Sequence, residues 1–297
     1  VKYRVRHRTE YTYSSEVENS LGLAHLAPRA LPWQRVGEHE LTIDPVPGDR
    51  RLDADVYGNH LTYFHVTDPH ERLVVEARTE VEVVDTAYDV DALARPWESA
   101  RPLHGAIGAD VWTATEFAIP SPKVAMLPEV RDYATVSFTP GRPIGEAVTD
   151  LMHRIKADFD YDSKATTVTS TVADVFAKRA GVCQDFAHLA LSCVRSHGLA
   201  GRYVSGYLST TPPPGKTRVL GADASHAWLA VWVPGSDAWL AIDPTNDQWA
   251  GERYVTVAWG RDYGDVTPVK GIIYTEAKKS TLKVAVDVIP ETEFSPA

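Results

Sequence analysis

The chain has 297 residues, 44% of them hydrophobic and 24% charged, which is long enough for a large buried core and ordinary for a globular protein. Its formal net charge of −10 argues against a nucleic-acid partner and against an anionic membrane surface, because both call for a basic face. No stretch approaches the roughly 18 apolar residues of a membrane span, and Val1-Lys2-Tyr3-Arg4 has no signal-peptide core, so the expected location is the cytoplasm.

Lys2 to Tyr13 alternates strictly. Tyr3, Val5, His7, Thr9, Tyr11 and Tyr13 share one face and Lys2, Arg4, Arg6, Arg8, Glu10 and Thr12 the other, which predicts a half-buried strand with a solvated outer face. Further strands are expected over 39–46, 51–56, 61–66 and 73–84, with a turn at Tyr57-Gly58-Asn59. Regular strands separated by turns make residues 1–90 an antiparallel β-sandwich domain. His60, His65 and His70 are unevenly spaced and do not suggest a metal site.

From Thr86 to Pro143 frequent prolines predict an irregular connection with short helices, one starting near Pro128. Ile144, Ala147, Val148, Leu151, Met152 and Ile155 then form a single apolar stripe, so residues 145–157 are expected to be an amphipathic helix. Thr171-Val172-Ala173-Asp174 is close to a capping box and predicts a short helix that runs to Arg179 and ends at Gly181.

Phe186, Leu189, Ala190 and Val194 have helical spacing, which puts Cys183 in the first turn of a helix ending near His197-Gly198. Unpaired backbone N–H groups and the positive end of the helix dipole favour a thiolate there, and the thiolate is the reactive form. The same N–H groups suit a developing oxyanion. Cys193 lies about 15 Å further along the same axis, too far for a disulfide, and is expected in the core. Neither cysteine has a close Cys/His partner of the kind zinc requires, and a working thiol without a disulfide fits a reducing compartment. His188, about 140° around the helix from Cys183, is expected to cover a buried face.

Residues 201–208 read as a strand. Thr211-Pro212-Pro213-Pro214-Gly215 opens a polar loop that is either a lid or a surface excursion. Residues 226–233 and 238–243 flank Pro234-Gly235-Ser236-Asp237 and read as a hairpin with a four-residue loop. If Val233 pairs with Ala238, paired positions sum to 471, His226 falls opposite Thr245, and Asp243 is its diagonal neighbour on the same face at about 7–8 Å. A base oriented by an acid is what a cysteine nucleophile needs, and Trp228, two residues past His226, can shield the pair from water. Residues 280–289 form a final strand, so residues 91–297 are expected to be an α+β core with helices packed on an antiparallel sheet.

Gly181-Val182-Cys183-Gln184-Asp185-Phe186-Ala187, the Gly201 to Tyr207 strand, His226-Ala227-Trp228 and Asp243-Pro244-Thr245-Asn246 together resemble the bacterial branch of the transglutaminase-like superfamily, with its papain-like core. The Gly260 to Gly271 segment is similar to that branch's tail, and Tyr11-Tyr13 and Tyr57-Gly58-Asn59 more weakly to its N-terminal region. The resemblance implies Cys183 as nucleophile, His226 as general base and acid, and Asp243 as the residue that orients the histidine. It also implies that the aromatic segment Phe159-Asp160-Tyr161-Asp162 borders a substrate groove, and Tyr161, Gln184 and Trp228 are the candidate substrate-binding residues.

The expected activity is acyl transfer from a peptide or isopeptide bond through a thioester, with hydrolysis favoured over crosslinking. The rival readings are a catalytically silent peptide-binding module, a protein-crosslinking enzyme, and an adaptor whose function lies in the N-terminal β domain. No cofactor is expected, the partner is a protein or peptide substrate, and the oligomeric state is open.

Overall fold

The alternation that begins at Lys2 runs on past Tyr13, and in the computed structural model it forms a single 23-residue strand, β1 (Lys2–Ala24). The structure describes residues 1–105, 110–210, 225–236 and 238–293. Strands β2 (Gln34–Asp44), β3 (Asp49–Ala54), β4 (His60–Val66) and β5 (His70–Val83) join it in one antiparallel sheet, in the order β2-β5-β1-β4-β3. The first half of β1, Lys2 to Thr12, pairs with β5, and Ser20 to Ala24 pairs with β4. Between the halves the pairing register with β5 breaks after Thr12, and an irregularity of this kind bends and twists a strand. The sheet curls there, and Tyr13, Val17, Leu41, Phe64, Val66 and Val75 close a core inside it. The sandwich expected of this region is thus one sheet folded over on itself. Its outer arginines are held by neighbouring acids, Arg6 and Arg8 by the buried Glu76 and Arg72 by Glu10 at the surface.

Among the described residues the proline-rich connection carries short helices, α1 (Val90–Leu93), α2 (Val111–Glu116) and α3 (Pro128–Thr135). Helix α4 (Ile144–Asp158) buries all six residues of the predicted stripe. After the two-residue strand β6 (Asp160–Tyr161) comes α5 (Val172–Lys178), capped at its start by reciprocal bonds between Thr171 and Asp174. It stops on Arg179, in the left-handed region at φ 55°, two residues before the glycine expected to end it. Gly181 serves another purpose. In β7 (Ala180–Gly181), paired in parallel with β6, a Cβ at Gly181 would lie 2.8 Å from Asp185 Oδ2, so only glycine lets that carboxylate fold back.

Helix α6 (Cys183–Ser196) follows at once and is buried from Asp185 to Arg195. It packs on a five-stranded antiparallel sheet of β8 (Gly201–Leu208), β9 (Ser225–Val231), β10 (Leu240–Asp243), β11 (Gln248–Trp249) and β12 (Tyr254–Gly260), in the order β11-β10-β9-β8-β12. Leu189 and Leu191 of α6 and Leu229 and Val231 of β9 are fully enclosed in the shared core, at about 1.5–3 kcal/mol for each such side chain. His188 is buried against Tyr203 and accepts a bond from the Tyr263 N–H, the covering task expected of it. The Thr211–Gly215 loop lies outside the described residues. Among those described, no helix is long and apolar enough to cross a membrane.

The last two strands overturn one expectation. β13 (Val269–Thr275) pairs with Val17 to Ala24, and β14 (Ser280–Pro290) pairs with Tyr3 to Tyr13, so the chain's end returns to the N-terminal sheet instead of staying in the core. A division at residue 90 therefore does not describe the sheet, which draws on both ends of the chain. Two amide side chains dock it on the core by imitating a paired strand along the free edge of β12. Gln34 donates to Thr256 O at 2.7 Å and accepts from Thr256 N at 2.8 Å, and Asn59 does the same with Trp259 at 2.8 and 3.0 Å. This covers an edge that would otherwise present unpaired backbone groups.

Candidate active site

Cys183 is the first residue of α6 and is half-buried against the main core. Its turn is braced by buried Asp185, whose carboxylate accepts from the Val182 N–H at 2.9 Å and takes the Thr166 hydroxyl. The backbone that presents the sulfur is therefore fixed by an acid in the helix's first turn, where the dipole favours negative charge. Tyr161 on β6, 58% exposed, is brought beside the Cys183 turn by its pairing with Gly181 and gives that side an open aromatic wall, while Tyr203 on β8 is buried.

The hairpin delivers the histidine as the register predicted. Leu240 pairs with Val231, Ala241 with Ala230 and Ile242 with Leu229, each pair keeping the expected sum. His226 Nε2 donates to Asp243 Oδ2 at 2.7 Å, and the Cys183 side chain is a second hydrogen-bond partner of the same imidazole. The three sequence-predicted residues are thus brought together.

Asp243 has no exposed surface and five donors. Oδ2 accepts from His226, from the Asn246 side-chain amide at 2.7 Å and from the Tyr254 hydroxyl at 2.7 Å. Oδ1 accepts the backbone N–H groups of Thr245 at 2.9 Å and Asn246 at 3.3 Å, a turn in which an aspartate caps its own chain. Asn246 Nδ2 also lies 3.3 Å from His226 Nε2, but with that nitrogen's proton committed to Asp243 the contact is one of proximity. The loop carrying Asn246 is tied to α4 by His153 against Asp247 and by Lys156 donating to Thr245 O at 3.0 Å.

These contacts set the charges. Burial alone would lower the pKa of His226, but the hydrogen bond to Asp243, then Cys183 and the charges of both, push it up to about 10. For Asp243 burial pulls upward, and the bond to His226, its charge, Asn246 and Tyr254 outweigh it and hold the carboxyl below its ordinary range. A carboxylate with this many donors stays ionised.

Gln184 is half-buried beside Cys183 in the first turn of α6, and Tyr161 stands open to solvent near the sulfur. Trp228 is only 1% exposed and stacks on His226 at 6.1 Å, so it backs the histidine and offers no open face to a substrate. Asn246 and Tyr254 are the site residues that residue-by-residue reading missed. Asn246 stood inside the Asp243-Pro244-Thr245-Asn246 motif and was a signal available in sequence; Tyr254 comes from β12, and only the strand order brings it to Asp243.

With this geometry in place, comparison with known proteins is informative. The bacterial transglutaminase-like N-terminal region matches residues 3–82 and the transglutaminase-like superfamily core matches residues 133–244. An uncharacterized protein of Mycobacterium tuberculosis is 48% identical over 97% of this chain and 93% of its own, and one of Mycobacterium leprae is 32% identical over 97% and 98%. The crystal structure of a candidate cysteine protease from Cytophaga hutchinsonii shares the fold with a TM-score of 0.72, at 18% identity over 99% of this chain and 92% of that one. The half-buried cysteine opening α6, the hairpin beside it and the curled N-terminal sheet thus agree with both family regions, and the chain belongs to the transglutaminase-like superfamily.

Proposed function

We propose that the protein is a cysteine-dependent acyl-transfer enzyme in which Cys183 attacks an amide carbonyl, His226 moves the proton and Asp243 orients His226. The observation that carries this reading is the contact of one imidazole with both Cys183 and a fivefold-bonded Asp243. With its pKa raised to about 10, His226 carries a proton across neutral pH beside the sulfur, which attacks as the thiolate. The sulfur forms a bond to the carbonyl carbon, the carbonyl pair moves onto oxygen, and backbone N–H groups at the start of α6 face the developing charge. Collapse expels the amine, which takes its proton from His226 and leaves a thioester on Cys183. Water, deprotonated by the now neutral His226, then releases the acid.

The substrate in this proposal is a peptide or isopeptide, because the open wall beside Cys183 is the exposed ring of Tyr161, with Gln184 next to it. Water as acceptor is favoured over a lysine amine, and the two unpaired cysteines fit work in a reducing compartment. Mass spectrometry of the protein quenched during turnover of a peptide library tests the reading. An acyl adduct on Cys183 that disappears into free acid supports it, and transfer to an added amine in place of water makes the enzyme a crosslinker. Turnover with no adduct on Cys183, and none lost in Cys183→Ala, overturns it.

A further inference from the structure

Behind the His226 and Asp243 pair lies a second, narrow cavity. Trp228 and Tyr254, the rings that pack on His226, form one wall, and Trp33, Trp239, Trp259 and Arg202 complete the part that matters chemically. It spans the seam between the N-terminal sheet and the core. Its interior is about 20 Å³, room for one water molecule or one ion of similar size.

The charge in this cavity is not balanced. The Arg202 guanidinium carbon lies 3.6 Å from the Trp259 ring and 4.5 Å from the Trp239 ring, and Arg29 lies 3.7 Å from Trp259. Indole faces attract the flat faces of a guanidinium, but its five N–H donors point outward in its own plane and still need acceptors. Arg29 finds acceptors in Tyr57 O and Asn59 Oδ1. Arg202 has no carboxylate partner among the described residues, and its enclosed Nε has no hydrogen-bond partner. Burial, and then the neighbouring Arg29, draw its pKa down to about 9, the direction expected of a cation without a counter-charge. The four indoles in the wall can donate and cannot accept. Neutral hydroxyls of Thr86, Tyr88, Tyr254 and Thr256 complete the polar lining, so the cavity carries positive charge and, among its lining residues, no carboxylate to balance it.

We propose that this cavity is a binding site for a single small inorganic anion of halide size, held in the plane of the Arg202 guanidinium. The space excludes a second molecule, and a tetrahedral oxyanion is too large for it. The inference stands apart from the catalytic reading, since it rests on the seam and not on Cys183.

Crystals of the full chain grown in sodium bromide, with diffraction collected at the bromine edge, test it. The expected result is one anomalous peak within hydrogen-bonding distance of Arg202, and 35Cl resonance broadening in solution that falls severalfold in Arg202→Met, which keeps the side chain's length and loses its charge. Sulfate should not reverse the broadening, whereas bromide should. An empty or water-filled cavity in wild-type crystals at saturating bromide overturns the proposal, as does broadening that Arg202→Met leaves unchanged. The wild-type crystal result decides alone if the variant does not fold.

Discussion

At the first turn of α6, Cys183 is half-buried and bonded to His226; ten residues on, Cys193 is fully buried in the core, where burial drives its thiol pKa well up. The two thiols share a helix and a covalent structure, so their difference is entirely one of surroundings. What separates them is the start of the hairpin strand, which brings His226 beside Cys183, while Cys193 is enclosed by apolar side chains and by His197 bonding Cys193 O at 3.0 Å. In the proposed mechanism reactivity is assigned by the sheet, and the helix supplies a scaffold that serves the proposed nucleophile and a core residue equally well.

The sharpest way to break that comparison is to remove each sulfur in turn. Cys183→Ala should lower turnover by roughly 10⁵-fold or more with the circular dichroism spectrum unchanged, because the thiol is the bond-forming atom and alanine suits a helix start. Cys193→Ala should leave turnover intact and instead cost roughly 1–2 kcal/mol of stability, read as a lower denaturant midpoint, because it opens a small cavity in packed core. Loss of activity in Cys193→Ala at full folding would erase the distinction.

His226→Ala should cost nearly as much as Cys183→Ala, since it removes both the base and the acid. Asp243→Ala should cost less, roughly 10²–10⁴-fold, because water can in part hold the tautomer. A double variant lacking Cys183 and Asp243 should be no worse than Cys183→Ala alone, and simple multiplication of the two losses would show that Asp243 acts outside this pair.

The pH dependence follows from the same contacts. His226 is raised in the folded state, so the stability it adds is complete below its ordinary value near 6.5 and is lost as pH rises through about 10. Asp243 is lowered, so its contribution is present above its ordinary value near 3.8 and is lost as pH falls through its folded value. The activity of the free enzyme should have an alkaline limb near 10 that moves down in Asp243→Asn, because that variant removes the main cause of the histidine's shift. A limb that stays in place would separate His226 from Asp243. Smallest among the kinetic effects, Tyr254→Phe removes one of the five donors to the carboxylate and should cost roughly 1–2 kcal/mol, or about tenfold in kcat/KM.

Much of the site is legible in the amino-acid sequence, and the reason is local. The register of β9 with β10 depends on a short loop and a run of alternating side chains, so counting across it places His226 and Asp243 together. The cap at Thr171 and the stripe of α4 are likewise written within a few residues. Tyr254 is not legible, because β12 pairs with β8 at the far edge of the sheet and nothing in its own sequence states that order. The return of β14 to β1 is hidden for the same reason: its partner lies at the other end of the chain, and an alternating strand reads alike whichever sheet it joins. Arg202 reads as part of a family motif, and only packing shows it stacked between tryptophans without a carboxylate among the described residues.

The most direct measurement of the central claim is iodoacetamide labelling of both cysteines, followed by mass spectrometry across pH, in the wild type and in His226→Ala. The account predicts fast labelling of Cys183 at neutral pH, a marked slowing of that site in His226→Ala, and no labelling of Cys193 until the chain unfolds. Slow and equal labelling of the two cysteines, indifferent to His226, would contradict it.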